Sequence, residues 1–211
     1  MTKFLSVCGL IVVLLNGCGG DFPGQPSDVV KVQQNKYSTT GNLKEEIPYN
    51  KESRIHGIKR TFYDNGQLRT EENYKNGKRD GVSREYSKDG QLSEEMNFKD
   101  NRGYGDYIGY YENGNIRAKG KLLGFDEDGM QEFEGNYKEY YENGTLALEY
   151  NFNNQGKMDG LQKSYNQNGS LESEESYKNG IKNGIFRYYK NGEIIKEEEF
   201  TNGILIPKSK S

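Results

Sequence analysis

The chain has 211 residues, of which 32% are hydrophobic and 29% are charged, and its mean hydropathy is −1.03. This low hydrophobic content excludes a thick two-layer core, whereas 17 Tyr and 9 Phe are more aromatic surface than a disordered chain carries. The 29 Lys and Arg residues nearly balance the 32 Asp and Glu residues, so the net charge of −3 gives no electrostatic reason for nucleic-acid binding.

The first 17 residues have the pattern of a bacterial lipoprotein signal peptide. Lys3 precedes an apolar run from Phe4 to Leu15, which is too short to span a bilayer comfortably as a helix. The run ends in Leu-Asn-Gly-Cys, which resembles a lipobox, where the cysteine thiol receives diacylglycerol before cleavage. We therefore predict a signal peptide over residues 1–17 and lipidation of Cys18. The alternative is an ordinary signal peptide, or a short anchor helix, with an incidental cysteine.

This assignment also predicts the location and the thiol chemistry of the mature protein. Cys8 lies in the segment that is removed and Cys18 carries the lipid, which excludes disulfides, thiolate catalysis and cysteine-based zinc sites. Residues 18–40 follow as a lipidated cysteine and a stretch rich in Gly, Pro, Ser and Gln, which predicts a flexible tether. The expected location is the cell envelope, at the outer membrane if the organism is Gram-negative.

From residue 41 to residue 203 the sequence repeats itself, followed by a short tail over residues 204–211. A glycine recurs every 23 to 30 residues with an aromatic residue four before it, an aliphatic residue two after it and a large apolar residue eight after it. A glutamate stands five after each glycine except in the third unit, which has Lys119. A weaker half-unit around Gly41 begins the array. The six aligned glycines are Gly66, Gly90, Gly114, Gly144, Gly169 and Gly192.

Each unit is predicted to be a β-hairpin, because most of these glycines lie in Asn-Gly or Asp-Gly pairs that favour tight turns. A two-residue loop would pair Phe62 with Arg69, whereas a three-residue loop over 64–66 pairs Phe62 with Leu68 and is expected to place Tyr74 on the same face. Three apolar side chains are too few to fold one hairpin alone. The prediction is therefore an all-β fold, an elongated single-layer antiparallel sheet of tandem hairpins with a polar opposite face.

Units such as GIKRTFYDNGQLRTEENYKNGKRDG and GIFRYYKNGEIIKEEEFTNG resemble the variant MORN repeat, in the bacterial form found in YwqK-type antitoxin proteins. The resemblance covers about residues 41–203 and rests on the Tyr-x-x-Asn-Gly and Glu-x-x-Tyr-x-Asn-Gly signatures. It implies an elongated hairpin array that is used for protein or membrane contacts, without a shared catalytic residue.

The sequence shows no constellation of reactive groups, so we predict neither an enzyme nor a cofactor or metal site. The one histidine, His56, is expected to be an exposed turn residue. The recurring glutamates follow the structural period and are expected on a solvated face. Residues 124–129, GFDEDG, are expected to form an acidic loop inserted between two hairpins, and whether they bind a cation stays open.

The irregular third and fourth units are the expected binding region. Tyrosines three before the turn glycine are predicted on the polar face, where they either contact a partner or simply suit an exposed strand. With the acidic insert nearby, we predict a binding surface at Tyr111, Lys119 and Tyr141. The predicted function is a membrane-anchored lipoprotein that binds or scaffolds a protein partner, with antitoxin or immunity activity as a special case. The alternative is an envelope structural or membrane-associated repeat protein without a dedicated ligand.

Overall fold

The computed structural model describes residues 4–7, 10–16 and 22–207, and it divides into two compact units, Met1–Gly103 and Tyr104–Ser211. Secondary structure in the described residues consists of β-strands joined by turns. The first unit contains β1 (Phe4–Val7), β2 (Leu10–Asn16), β3 (Lys31–Lys36), β4 (Leu43–Tyr49), β5 (Gly57–Phe62), β6 (Leu68–Lys75), β7 (Lys78–Tyr86) and β8 (Leu92–Lys99). Each of these strands pairs antiparallel with the next one along the chain.

The second unit has the same organisation and begins within β9 (Arg102–Tyr110). It continues with β10 (Ile116–Phe125), β11 (Gln131–Tyr140), β12 (Leu146–Phe152), β13 (Gly160–Tyr165), β14 (Leu171–Lys178), β15 (Ile181–Lys182), β16 (Gly184–Lys190), β17 (Glu193–Thr201) and β18 (Ile204–Ile206). The strands from β9 to β14 again pair antiparallel in chain order, β14 pairs with both β15 and β16, and β16, β17 and β18 continue the order. These pairings confirm the predicted all-β class and the tandem hairpins.

The first full hairpin has the predicted three-residue loop. The Tyr63 amide donates to the Gln67 carbonyl at 2.8 Å, and the Gly66 amide donates to the Tyr63 carbonyl at 3.0 Å. Gly66 has a φ of +88°, a backbone conformation that would be strained in a residue with a side chain. Phe62 pairs with Leu68, as predicted. The unit around Gly41 also forms a full hairpin, of β3 and β4, rather than the expected half-unit.

The sixth unit has a different turn. Its loop contains only Asn191 and Gly192, with φ values of +55° and +81°, and Lys190 pairs with Glu193. Asparagine tolerates this left-handed conformation and so permits a two-residue loop. Ile194 therefore pairs with Tyr189 rather than with the residue four before the glycine, which corrects the prediction for this unit.

A second correction concerns the faces of each hairpin. Phe62 pairs with Leu68 but Thr61 pairs with Thr70, so one extra residue stands in β6. This β-bulge shifts the alternation of side chains and places Tyr74 on the face opposite Phe62 and Leu68. The predicted single apolar stripe is therefore wrong. The same extra residue occurs in the other main hairpins, at Lys44, Ser93, Arg117, Ala147, Glu172 and Ile195.

The face that carries Tyr74 and its counterparts contains the core and is called the aromatic face below. In the second unit Phe186 is fully buried, with its ring centroid 5.4 Å from that of Tyr177 and 4.9 Å from that of Phe200. In the first unit Phe98 is buried under the guanidinium of Arg79, 4.1 Å from the ring centroid. Because successive hairpins place these groups side by side, neighbouring side chains cover one another within each unit.

Residues 22–30 pack against the first hairpins, whereas the sequence analysis assigned them to a flexible tether. Val29 is fully buried, and the Gln25 side chain forms two hydrogen bonds with the backbone of Ile58. We call residues 22–30 the N-terminal strap. β3 also lies within the predicted tether, and β1 and β2 lie within the predicted signal peptide. Cys8 and Cys18 lie outside the described residues.

Candidate functional site

The face opposite the aromatic face carries opposite charges on successive strands, and we call it the charge-ladder face. In each regular hairpin a cation lies directly across from the recurring glutamate, as Arg60 does from Glu71 with Nε 2.8 Å from Oε1. The other pairs are Arg84–Glu95 at 2.6 Å, Lys138–Glu149 at 3.1 Å, Lys163–Glu174 at 3.3 Å and Arg187–Glu197 at 3.0 Å. The glutamates expected on a solvated face are therefore half-buried and paired.

Two groups of the ladder, Arg84 and Glu149, have pKa values shifted in the direction that keeps them charged. A hydrogen bond to Glu95 raises the pKa of Arg84. Burial opposes ionisation of Glu149, but hydrogen bonds from Lys138 and Asn136 outweigh it and lower the pKa of this carboxyl. A partly exposed ion pair contributes only up to about 1 kcal/mol. The ladder therefore favours one strand order, because a slipped register would place like charges opposite each other.

The ladder is interrupted at Lys119. This residue lies opposite Ile108 on β9 and opposite Lys138 on β11, and Lys138 already pairs with Glu149. The Lys119 side chain is exposed, and its Nζ lies 5.4 Å from the ring centroid of Tyr140. In the part of the chain that the structure describes, no carboxylate forms an ion pair with Lys119. Two lysines, Lys119 and Lys138, therefore stand opposite each other, and the charge of Lys119 faces solvent.

The two predicted tyrosines form hydrogen bonds between successive hairpins. The Tyr111 hydroxyl donates to the Tyr140 carbonyl at 2.6 Å, and the Tyr141 hydroxyl donates to the Tyr165 carbonyl at 2.7 Å. In the first unit the Tyr63 hydroxyl likewise donates to the carbonyl of Tyr86, in the next hairpin, at 2.8 Å. These half-buried hydroxyls link successive hairpins, and their recurrence with the structural period is the sequence signal for that role.

All three predicted residues nevertheless meet around Tyr140. Its carbonyl accepts the hydrogen bond from Tyr111, its ring lies beside Lys119, and Tyr141 follows it in the chain. Only Lys119 keeps its charged group exposed. A shallow cavity of about 400 Å³ lies at the turns beside this cluster, lined by Asn113, Tyr141, Glu142, Asn143 and Gln167. The geometry thus combines an exposed cation, aromatic surface and a groove lined by amides.

The groups with the chemistry of catalysis or metal binding have structural partners. Only 13% of the His56 side chain is exposed, and its Nε2 lies 3.0 Å from Asp28, so it is not the exposed turn residue expected. In the acidic loop Asp126 Oδ1 accepts hydrogen bonds from the amides of Asp128 and Met130. The described residues contain no group of three or more His, Cys, Asp or Glu side chains that could hold a metal ion.

The described parts of the chain contain no helix with the length and apolar character needed to cross a membrane.

The hairpins and the charge ladder define a tandem β-hairpin repeat protein. Six segments match the profile of the MORN repeat variant, at residues 33–51, 55–76, 79–100, 104–122, 133–154 and 158–179. Together they cover more than half of the chain, which therefore belongs to the MORN repeat variant family. MORN repeats are often protein or membrane interaction modules. Among curated proteins, no sequence matches this chain.

The matched segments also refine the limits of the array. The first match begins at residue 33, in β3, ten residues before β4 begins at Leu43. This position lies within the predicted tether. The last match ends before the hairpin of β16 and β17, although these strands repeat the same antiparallel pairing. The shorter turn of this hairpin is one feature that separates it from the matched units.

Proposed function

We propose that the protein is an exported, lipid-anchored repeat module that binds a protein partner through the charge-ladder face around Lys119. The uncompensated charge of Lys119 carries this proposal. Elsewhere on this face the main cations already have carboxylate partners, so an incoming acidic group gains most at Lys119. Charge complementarity of this kind increases the association rate and the specificity of a protein interface. The neighbouring Tyr140 ring supplies contact area.

The site supports binding rather than catalysis. It contains an exposed lysine, tyrosines whose hydroxyls bind backbone carbonyls, and turn amides. A catalytic site needs a nucleophile or an acid–base pair that faces a reacting group, and this cluster offers neither. We therefore propose a non-enzymatic partner-binding role without a cofactor. Immunity against a toxin is a special case that a toxin gene beside this one would support.

Lys119→Glu is expected to weaken partner binding by at least about tenfold while leaving the fold intact, since 1.4 kcal/mol corresponds to a factor of ten. The new carboxylate lies opposite Lys138 and completes the ladder, so the thermal midpoint should stay unchanged or rise. The measurement is titration with a protein that co-purifies with the wild type from membranes, alongside thermal unfolding.

Lys157→Glu is the matched control. Lys157 is an exposed lysine in a turn of the same compact unit, Tyr104–Ser211, and it lies away from the ladder. This variant makes the same charge change and should bind the partner normally. Equal binding by Lys119→Glu and the wild type would place recognition elsewhere on the array and contradict the proposed site.

Cys18→Ser is expected to move the protein from the membrane fraction to the soluble fraction and to block removal of residues 1–17. The reason is that the proposed lipid is attached to this thiol, and a stable anchor needs buried acyl chains. Cell fractionation and intact mass spectrometry measure both effects. Cys8→Ser is the control, because Cys8 lies in the proposed leader and should be dispensable. Unchanged membrane partitioning of Cys18→Ser would argue against the anchor.

A structural role in the envelope is the second candidate. The C-terminal end of the second unit has several exposed large apolar side chains, among them Ile194, Ile195, Ile204 and Leu205. Repeat arrays usually end in polar caps, so this end is suited to self-association. Concentration-dependent assembly of the purified protein, together with failure to capture any partner, would favour this second function.

A further inference from the structure

We infer that the N-terminal strap, residues 22–30, fixes the first hairpins close to the membrane surface. The inference rests on the proposed lipidation of Cys18. A long tether would let the array move freely, whereas the strap holds its first unit near the lipid headgroups. The interaction surface is the strap side of the first unit, and its partner is a phospholipid surface.

The strap is joined to the sheet by directional hydrogen bonds. The Ile58 amide donates to Gln25 Oε1 and the Gln25 Nε2 donates to the Ile58 carbonyl, both at 2.7 Å. The paired residues of β4 and β5 include only Glu45 with Thr61 and Glu46 with Arg60. Gln25 therefore satisfies backbone groups of β5 beyond the end of this ladder, as buried groups require.

Shape and charge hold the rest of the strap. Val29 is fully buried, and the next amide, of Val30, donates to the Tyr49 carbonyl at 2.9 Å. Asp28 Oδ2 lies 3.0 Å from His56 Nε2. A Cβ at Gly57 would stand 2.5 Å from Gln25 Oε1. The strap is thus seated along its length, in contacts that a mobile tether lacks.

The position of the strap limits how far the array can lie from the lipid. Three residues, 19–21, separate Cys18 from Phe22. A fully extended chain advances at most about 3.6 Å per residue, so the first strap residue lies within about 14 Å of the lipidated cysteine. If the chain were free up to Lys31, where β3 begins, the same arithmetic would allow about 47 Å. Packing of the strap therefore shortens the reach from Cys18 to the sheet about threefold.

The exposed part of the strap is compatible with a headgroup surface. Residues 23–27 are Pro, Gly, Gln, Pro and Ser, none of which is charged. Gly24 lies beside the guanidinium of Arg60, since its Cβ position is 3.6 Å from Nη2. The acidic side chain of the strap, Asp28, is 62% exposed and lies 3.0 Å from His56. The chain therefore enters the first unit next to a cation of the charge-ladder face, and residues 23–27 add no charge at the phospholipid surface.

A single tryptophan can test this placement, because the natural chain contains none. Lys51→Trp places the probe in the turn after β4, where 83% of the lysine side chain is exposed. The probe belongs to the array rather than to the strap, so it reports the distance of the first unit from the membrane. The lipidated protein is purified from membranes and reconstituted into phosphatidylethanolamine vesicles with dansyl-labelled headgroups, and energy transfer from the tryptophan is measured.

Two variants lengthen the connection by different means. The first inserts about twelve Gly and Ser residues between Gly20 and Asp21, which adds an average span of about 20 Å and leaves every strap contact intact. The second combines Gln25→Ala with Val29→Ser to release the strap. We expect energy transfer to fall at least about twofold in both variants, since both increase the distance over which the first unit moves.

The outcomes separate this inference from the proposed function. Absence of lipid on Cys18, seen by intact mass, would overturn the lipid-anchored function and this inference with it. Lipid on Cys18 with equal energy transfer in the parent and both variants would overturn the strap alone. A decrease in the spacer variant without one in the release variant would also overturn it, because the strap would then not set the distance.

Discussion

Phe186→Ala is expected to destabilise the second unit by about 3–5 kcal/mol, the usual cost of removing a buried phenylalanine ring. Phe186 is fully buried, and its ring lies edge to face between those of Tyr177 and Phe200. Loss of this ring would remove its contacts with Tyr177 on β14 and Phe200 on β17, the two strands that pair with β16. Urea denaturation followed by circular dichroism measures the loss, and amide exchange locates it in the second unit.

Tyr104→Ala is the control for this change, because it also removes an aromatic ring but from an exposed site. Its effect should stay within about 0.5 kcal/mol, as for most surface substitutions. If the two variants were equally destabilised, the aromatic face would not be the core.

The hairpins could be predicted from sequence because their turns depend on local chemistry. Asn-Gly and Asp-Gly pairs mark the position of the turns. They do not set the loop length, because Asn-Gly ends a three-residue loop at Gly66 and forms a two-residue loop at Gly192. The exchange of faces could not be predicted in this way. It depends on a bulge at Arg69, a long polar residue with no distinctive turn signal. One extra residue reverses the side of every later position in the strand.

The candidate site was predicted in part for a related reason. Lys119 stands out because a lysine replaces a recurring glutamate, and this exchange is visible in the aligned repeats. Its consequence required the strand order, because only the sheet places Lys119 opposite Lys138. The hydrogen bonds of the tyrosine hydroxyls could not be predicted, because contacts between hairpins join residues more than twenty positions apart. Tyr111 and Tyr141 bind the carbonyls of Tyr140 and Tyr165 in the following hairpins.

The strap was missed because its composition is that of a linker. Pro, Gly and Ser predict a flexible segment when no apolar period is present, and a single buried valine supplies no period. The informative residue stands elsewhere, at Gly57. Its φ of +97° and the close approach of Val29 Cγ2 require a residue without a side chain. Gly160 and Gly184 also begin strands, with φ values of +100° and +114°, so the positive φ recurs with the repeat, and the 2.9 Å approach of Val29 Cγ2 is what marks the packed segment at Gly57.

Gly57→Ala is accordingly expected to destabilise the first unit by about 3–5 kcal/mol. The strained backbone contributes about 1–3 kcal/mol, and displacement of Gln25 removes two hydrogen bonds worth about 1 kcal/mol each. The new Cβ would lie 2.5 Å from Gln25 Oε1, a separation that forces the strap to move. Urea denaturation gives the free energy, and limited proteolysis reports whether the peptide bonds of residues 22–30 become accessible.

Gly77→Ala separates the two contributions. Gly77 has a similar φ of +88°, but a Cβ there would meet no heavy atom within 4 Å. Gly77→Ala should therefore lower the free energy of unfolding through backbone strain alone. The strap should stay as resistant to proteolysis as in the wild type. The difference between the two variants, expected at about 2 kcal/mol from the two lost hydrogen bonds, measures how firmly the strap holds the first unit. Equal destabilisation and equal proteolysis in both variants would show that the strap contributes nothing to the fold, and the short connection to the lipid would then lose its structural basis.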